Sequence, residues 1–550
     1  MWMQFSRIAA VSLTICMLAE PAYAANEGQA DLDTATETKL EAETLADLEK
    51  VAALCESALK KGLDAENTGF ANQLLSSVLM QHAQKLTAAI FEQSPPDRRW
   101  QFIRGVAMKD LERALIADPK LADAHLMIVK LQALPGGDAK LARKSADEAI
   151  TLFADDKAQQ AKAFVLRAAL TEDADEQLAD YAAALAADPT SAEALRARAF
   201  LYLTKGENDK AVSDLLKLLE VDANNPAVQG AVAEALANLE KFDDALKHVD
   251  KVIALNPRLA LGYNLRARIR ILQDKLDDAV SDLNESLKLD PNNIGALLLR
   301  GQVLAQQDKF DEARADVEQA IKLNPELTQA ILLRSMIAAQ AKRWGEAISD
   351  IKTLLQTDPQ NPELRLQLAA YYAADNRPRK AIEIFDQLVD SDDGNWQARR
   401  ARADALLSVG EHAKAIEDYE EALKKKPEDS HMLNNLAWVL ATSSDDDVRD
   451  GKRSIEIGTK ACEVTKFEAP HILSTLAAGY AEAGDWENAV KWSTKAVELS
   501  SKAAKSGEAD VSDQLKKELE SYKEQKPWRE KQNIEENKKP LDEKKPELEA

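Results

Sequence analysis

The 550-residue chain carries 94 acidic against 71 basic side chains, a net charge of -23 at pH 7. General nucleic-acid binding and docking on anionic lipid both need a basic footprint, so this balance excludes them. It suits solubility and basic partners without naming one.

The N-terminus predicts an export signal over 1–24. Arg7 precedes a mostly apolar run from Ile8 to Ala19, too short to span a bilayer, and Ala22-Tyr23-Ala24 is a small-x-small cleavage site. The residues ahead of Cys16, Leu13-Thr14-Ile15, are not the small ones that a lipoprotein signal needs. A mature protein starting at Ala25 is therefore expected, without membrane insertion, in a bacterial periplasm or outside the cell. Residues 25–37 read as a flexible polar lead-in. From 38 to 157 the pattern is helical but divergent, broken at Ser94-Pro95-Pro96 and again at the turn Leu134-Pro135-Gly136-Gly137.

From 158 to 429 the chain is periodic. Alanine recurs every 34 residues at Ala211, Ala245, Ala279, Ala313, Ala347, Ala381 and Ala415. Twelve residues upstream of each runs a second row of small residues: Ala199, Ala233, Ala267, Gly301, Ser335, Ala369 and Ala403. Prolines keep the same interval at Pro189, Pro257, Pro291, Pro325, Pro359 and Pro427. In the unit from Ala260 to Asn293, Tyr263, Ala267 and Ile271 mark one helical face, and Ala279, Leu283 and Leu287 mark a second. A polar break separates them, and Asp290-Pro291 ends the second helix, since proline lacks an amide hydrogen and disfavours helix in the residue before it. The small rows fall where the two helices of one hairpin cross, and a larger side chain there would hold the backbones apart.

These rows, the helix-ending prolines and the bulky positions Phe242, Phe310, Trp344 and Tyr419 resemble the tetratricopeptide-repeat (TPR) family. The resemblance implies an all-α fold, a right-handed superhelical solenoid of helical hairpins. Eight regular repeats would cover 158–429, and two further TPR-like repeats 430–502. The first of these has a turn expanded by Ser443-Ser444-Asp445-Asp446-Asp447, a departure of the kind that marks binding insertions. A capping helix is expected within 503–525, with Leu515, Leu519 and Tyr522 on one face. The tail 526–550 has seven basic and seven acidic residues and three prolines, and reads as disordered.

Five repeats carry Arg followed sixteen residues later by Asp: Arg198/Asp214, Arg266/Asp282, Arg300/Asp316, Arg334/Asp350 and Arg402/Asp418. Where the first position is apolar (Val232, Leu368), the second is not acidic (His248, Ile384); only Phe164/Asp180 breaks the rule. The covariation predicts structural ion pairs between facing helices rather than a basic stripe for an anionic ligand.

In the TPR family the first helix of each hairpin lines the concave face. Carried over, that places Leu298, Gln302, Leu332, Met336, Leu366 and Ala370 in a mostly apolar groove. Arg196, Arg268 and Arg400 flank it on one side, and His431, Asn434, Trp438 and His471 on the other. Such a groove suits an extended or helical segment of a partner protein. The carboxylate clamp of chaperone-binding TPR domains would fall on Arg400, Asp404, Asn435, His471 and Thr475, where Asp404 repels the ligand, so that clamp is not expected. The six histidines form no metal-binding motif, and no P-loop, nucleophile elbow or dinucleotide fingerprint occurs. Cys55 and Cys462 read as buried helix residues rather than a disulfide. The sequence therefore predicts an exported scaffold for protein partners, with no catalysis, cofactor or metal. A self-assembling envelope protein and an accessory subunit that presents substrate to a separate enzyme are the alternatives.

Overall fold

The computed structural model describes residues 26–92, 98–504 and 512–530. The export signal expected at 1–24 and the tail beyond Glu530 lie outside them. The described residues are all-α, with 27 helices and no strand. They fall into two compact units, divided between Gln273 and Asp274.

The first unit opens with α1 (Gln29–Leu40), α2 (Leu45–Lys61), α3 (Ala65–Phe91) and α4 (Trp100–Ala117). It continues through the hairpins α5 (Ala122–Gln132) with α6 (Ala139–Leu152), α7 (Lys157–Ala168) with α8 (Ala174–Ala187), α9 (Ala192–Thr204) with α10 (Asn208–Val221) and α11 (Pro226–Asn238) with α12 (Phe242–Leu255), and ends in α13 (Ala260–Leu272). Helix α1 occupies most of the stretch read as a lead-in. The reading at 25–37 is corrected by Leu32 and Ala35, whose burial against α2 and α3 offsets the entropy of ordering a polar segment.

The second unit opens with α14 (Leu276–Leu289). Its hairpins are α15 (Ile294–Gln306) with α16 (Phe310–Leu323), α17 (Thr328–Gln340) with α18 (Trp344–Thr357), α19 (Pro362–Ala374) with α20 (Pro378–Ser391), and α21 (Trp396–Val409) with α22 (His412–Lys425). Then come α23 (Ser430–Thr442) with α24 (Gly451–Val464), α25 (Pro470–Glu482) with α26 (Trp486–Ala504), and α27 (Ser512–Lys523).

The small residues decide how closely the helices of a hairpin approach. Ala199, Ala211, Ala313, Ala347, Ala369, Ala381, Ala403 and Ala415 are all 0% exposed. A methyl group added at Gly301 would stand 3.0 Å from Val317 Cγ2 and 3.1 Å from the Ala313 carbonyl oxygen. Ser335, the one hydroxyl in the row, donates its proton to the Ala347 carbonyl at 3.0 Å, so its polar atom is satisfied inside the crossing.

Six of the hairpins turn through a single left-handed residue at the same place: Gly206 (φ 73°), Glu240 (59°), Asp308 (58°), Lys342 (57°), Asn376 (58°) and Gly410 (84°). The next amide then reaches back across the last helical turn, as Lys309 N–H does to Leu304 O at 2.9 Å and Arg343 N–H to Ala338 O at 2.8 Å. This six-residue closure satisfies carbonyls that the helix end leaves open. Four first helices of the second unit are capped by a side-chain acceptor: Asn293, Asn361, Asn395 and Asp429 each accept an amide of the first turn.

Candidate functional site

Four of the Arg/Asp positions make two-pronged contacts. Asp214 accepts from Arg198 Nε and Nη2, both at 2.7 Å; Asp316 accepts from Arg300 at 2.7 and 2.6 Å. Asp350 accepts from Arg334 at 2.9 and 2.7 Å, and Asp418 from Arg402 at 2.6 and 2.7 Å. The bond to the facing aspartate raises the pKa of Arg198, Arg334 and Arg402 above the ordinary guanidinium value. The free prong turns toward the preceding hairpin: Arg300 Nη1 donates to Asn284 at 2.7 Å, Arg402 Nη1 to Asp386 at 2.8 Å and, in the first unit, Arg266 Nη1 to Asp250 at 2.8 Å. Asp282 is buried in the second unit. The exception at Phe164 resolves one helical turn further on. Arg167 takes Asp180 from α7, bridges back to Asp147 at 2.7 Å, and lies over the Phe164 ring at 5.3 Å. Where the row is apolar at Val232, His248 bonds instead to the buried Gln229 at 2.6 Å.

The groove positions separate into two rows. Leu298 packs on the core around Ala313 and Val317, while Leu332 and Leu366 pack on the one around Ile351 and Phe385, so all three are half-buried. Gln302, Met336 and Ala370, four residues on in each helix, are exposed; Met336 is 44% exposed. The apolar groove read from the sequence is thus narrower than expected, because the leucine row also seals neighbouring hairpins. Arg400 lies 3.6 Å from the Asp429 carboxylate.

At the C-terminal end of the second unit, Asn434 and Trp438 of α23 come together with His471, Ser474 and Thr475 of α25 and with Gln514, Leu515 and Glu518 of α27. They line a cavity of about 320 Å³. Its polar groups are wired to each other. Thr475 Oγ1 donates to Asn434 Oδ1 at 2.7 Å, and Asn434 Nδ2 to Asn435 Oδ1 at 3.2 Å. Asn435 Nδ2 donates in turn to Asp404 at 3.1 Å, which also accepts the Tyr419 hydroxyl. Burial, and then the Asp404 charge, holds the Tyr419 phenol far above its ordinary range, so it remains a donor. Three of the five carboxylate-clamp positions, Asp404, Asn435 and Thr475, therefore meet here as an internal network. Glu518 accepts from Gln514 Nε2 at 2.9 Å and from the Ser474 hydroxyl, and burial raises its carboxyl above the usual carboxylate range. Burial also lowers the His471 imidazole, with the nearby His431 adding to the effect.

Residues 526–530, read as part of the tail, pack on this end of the unit. Trp528 joins Trp438 and Trp486 against the buried Ala441, Ala477, Ala478 and Ala481. Arg529 Nη2 lies 2.7 Å from Glu482 and its Nη1 donates to the Ala441 carbonyl at 3.3 Å. The Glu530 amide donates to Thr442 O at 3.1 Å, and the Trp438 indole donates to the Glu530 carboxylate at 2.8 Å. The expanded turn is pinned to the same place. Arg449 meets Glu482 at 2.8 Å and the Ser443 carbonyl at 2.8 Å, while Ser443 Oγ lies 2.6 Å from the buried His412 Nδ1. Sequence reasoning passed over 526–530 because composition averages over the segment; Trp528, the lone aromatic among charges, was the available signal.

Among the described residues no three His, Cys, Asp or Glu side chains converge to hold a metal, and no helix is long and apolar enough to cross a membrane. Cys55 and Cys462 are free and buried, which pushes their thiols up to about 11 and about 12.

Models of the tetratricopeptide repeat match residues 192–225, 232–294, 298–362, 338–405 and 401–447. Among solved structures the chain is similar to a tetratricopeptide-repeat protein from Parabacteroides merdae, at 17% identity over 45% of this chain and 97% of the other, with a TM-score of 0.35. It is also similar to YrrB, a TPR protein with an unusual peptide-binding site (19% identity, 34% and 96% covered, TM-score 0.30). A third is PilF of Pseudomonas aeruginosa (19% identity, 42% and 98% covered, TM-score 0.31). No curated protein matches the chain.

Proposed function

The chain belongs to the tetratricopeptide-repeat family, and on that premise we propose that it is an exported, non-catalytic scaffold holding protein segments along the first helices of its hairpins. The observation that carries the reading is the exposed row Gln302, Met336 and Ala370, one residue in each of three consecutive hairpins of the second unit, beside a floor of half-buried leucines. A flexible thioether over an apolar floor adapts to varied side chains, and a row repeated at fixed spacing suits a chain-like ligand better than a compact one. The export half of the reading is supported by the sequence pattern at 1–24 alone, and under it the scaffold works in a bacterial periplasm or outside the cell.

The test is capture from an envelope extract on the immobilised full chain, read by mass spectrometry, beside a Met336→Glu variant. Because Met336 is exposed, the variant is expected to melt like the parent and to lose the captured protein. A capture profile unchanged by Met336→Glu would refute the groove. Mass spectrometry of the protein recovered from its native host is expected to show Ala25 as the first residue, and an intact N-terminus would refute export.

A further inference from the structure

We propose that residues 526–530 are a tethered ligand, filling a site on α23 and α25 that also takes an extended peptide in which an aromatic residue is followed by arginine and an acidic residue. The proposal deepens the scaffold reading and rests on it, since it names a second receiving surface on first helices and the chemistry it selects.

The segment is held as a bound peptide would be. The last turn of a helix leaves carbonyls without partners and carries partial negative charge. At the end of α23 those carbonyls, Ala441 O and Thr442 O, receive the Arg529 guanidinium at 3.3 Å and the Glu530 amide at 3.1 Å. Side chains supply the selectivity. Trp528 packs against a buried cluster to which α23 contributes Ala441 and α25 contributes Ala477, Ala478 and Ala481. Arg529 pairs with Glu482 at the end of α25, and Glu530 accepts the Trp438 indole proton. Helix-end carbonyls thus position the segment through one backbone amide and one guanidinium, and an aromatic, a cation and an anion in consecutive places are each read by a separate partner.

The tether is short. After α27 the chain reverses through Gln525 (φ 54°), closed by Lys526 N–H to Ser521 O at 2.9 Å, and Pro527 restrains the backbone next to Trp528. A short tether gives an effective concentration on the order of 1 mM. An intrinsic affinity of about 0.1 mM would then keep the site roughly nine-tenths filled and weaken an external peptide about ten-fold.

The test uses a fluorescein-labelled synthetic peptide of residues 525–532, followed by anisotropy against full-length chains. The parent chain is expected to bind it weakly. A Trp528→Ala, Glu530→Ala chain, whose own segment can no longer compete, is expected to bind it about ten-fold more tightly. Adding Glu482→Lys to that variant should abolish binding, and a peptide carrying Trp528→Ala should bind neither chain. Equal binding by parent and opened chains, or none by either, overturns the proposal. Should the double variant lose helicity, Glu530→Lys alone, which removes only the contact with Trp438, replaces it with the same expected direction. Met336→Glu concerns a different hairpin, so failure here leaves the capture experiment standing, and the reverse.

Discussion

Replacing Arg198 by methionine keeps most of the side-chain volume and leaves the Asp214 carboxylate, 2% exposed, without its two donors at 2.7 Å. Orphaning a buried charge in this way costs about 3–5 kcal/mol. Asp214→Asn, the reverse truncation, leaves a guanidinium that still reaches water and an amide oxygen, and is expected to cost about 1–2 kcal/mol. Arg198→Met with Asp214→Leu removes both charges and should return to within about 1 kcal/mol of the parent. A repeat array does not unfold in one step, so a single melting curve is the wrong readout. Hydrogen exchange of the α9 and α10 amides reports the hairpin itself. Protection there is expected to fall about a thousand-fold in Arg198→Met and by less than about five-fold in the double variant. A loss below about five-fold in Arg198→Met, or an equal loss in the double variant, would refute the account of the pair as a desolvated charge.

Three further outcomes follow from other parts of the structure. Burial lowers the imidazole pKa of His125, His248 and His412, so below the ordinary value near 6.5 the unfolded chain binds more protons than the folded one. Stability should be full above that value and fall as pH drops through it towards the folded pKa values, and His412→Gln should flatten the slope in denaturant titrations of the second unit. Glu518 has the opposite sign: its raised pKa makes stability complete below the ordinary carboxylate value and lost as pH rises through the folded one. Glu518→Gln should remove that loss, seen as a smaller difference in α27 exchange between pH 4.5 and 7.5. Lys342 holds φ at 57° with a full side chain. Lys342→Gly should raise protection in α17 and α18 by about 0.5–1 kcal/mol, less than the strain relieved because glycine also loosens the unfolded chain.

The fold class was legible because the crossing of two helices tolerates only Ala, Gly or Ser, and a demand that strict leaves a periodic trace. The left-handed turn residue recurs at the same interval, yet Glu240, Asp308, Lys342 and Asn376 hide it, since closure by the following amide imposes the geometry whatever the side chain. Arg167 hid in the same way: a guanidinium one turn away can fork to the same aspartate, so a rule of fixed spacing missed it. The groove was legible as a set of positions but not as a surface. Whether Leu332 or Met336 faces outward depends on how far neighbouring hairpins rotate on each other, and no single repeat encodes that rotation. Residues 29–37 and 526–530 were misjudged for a common reason, because two buried side chains in the first case and one indole in the second outweigh a polar composition.

The forked arginines also bear on how the array comes apart. Where Arg300 spans Asp316 and Asn284, or Arg402 spans Asp418 and Asp386, the seam between hairpins is partly ionic. At Val232 in the first unit and Leu368 in the second it is apolar. Salt screens the exposed prongs of the first kind, and cooling weakens the second. A mixed array has no single weakest link, and different stresses should open it at different repeats, so the pattern of Arg and aliphatic residues along the chain doubles as a map of where it yields.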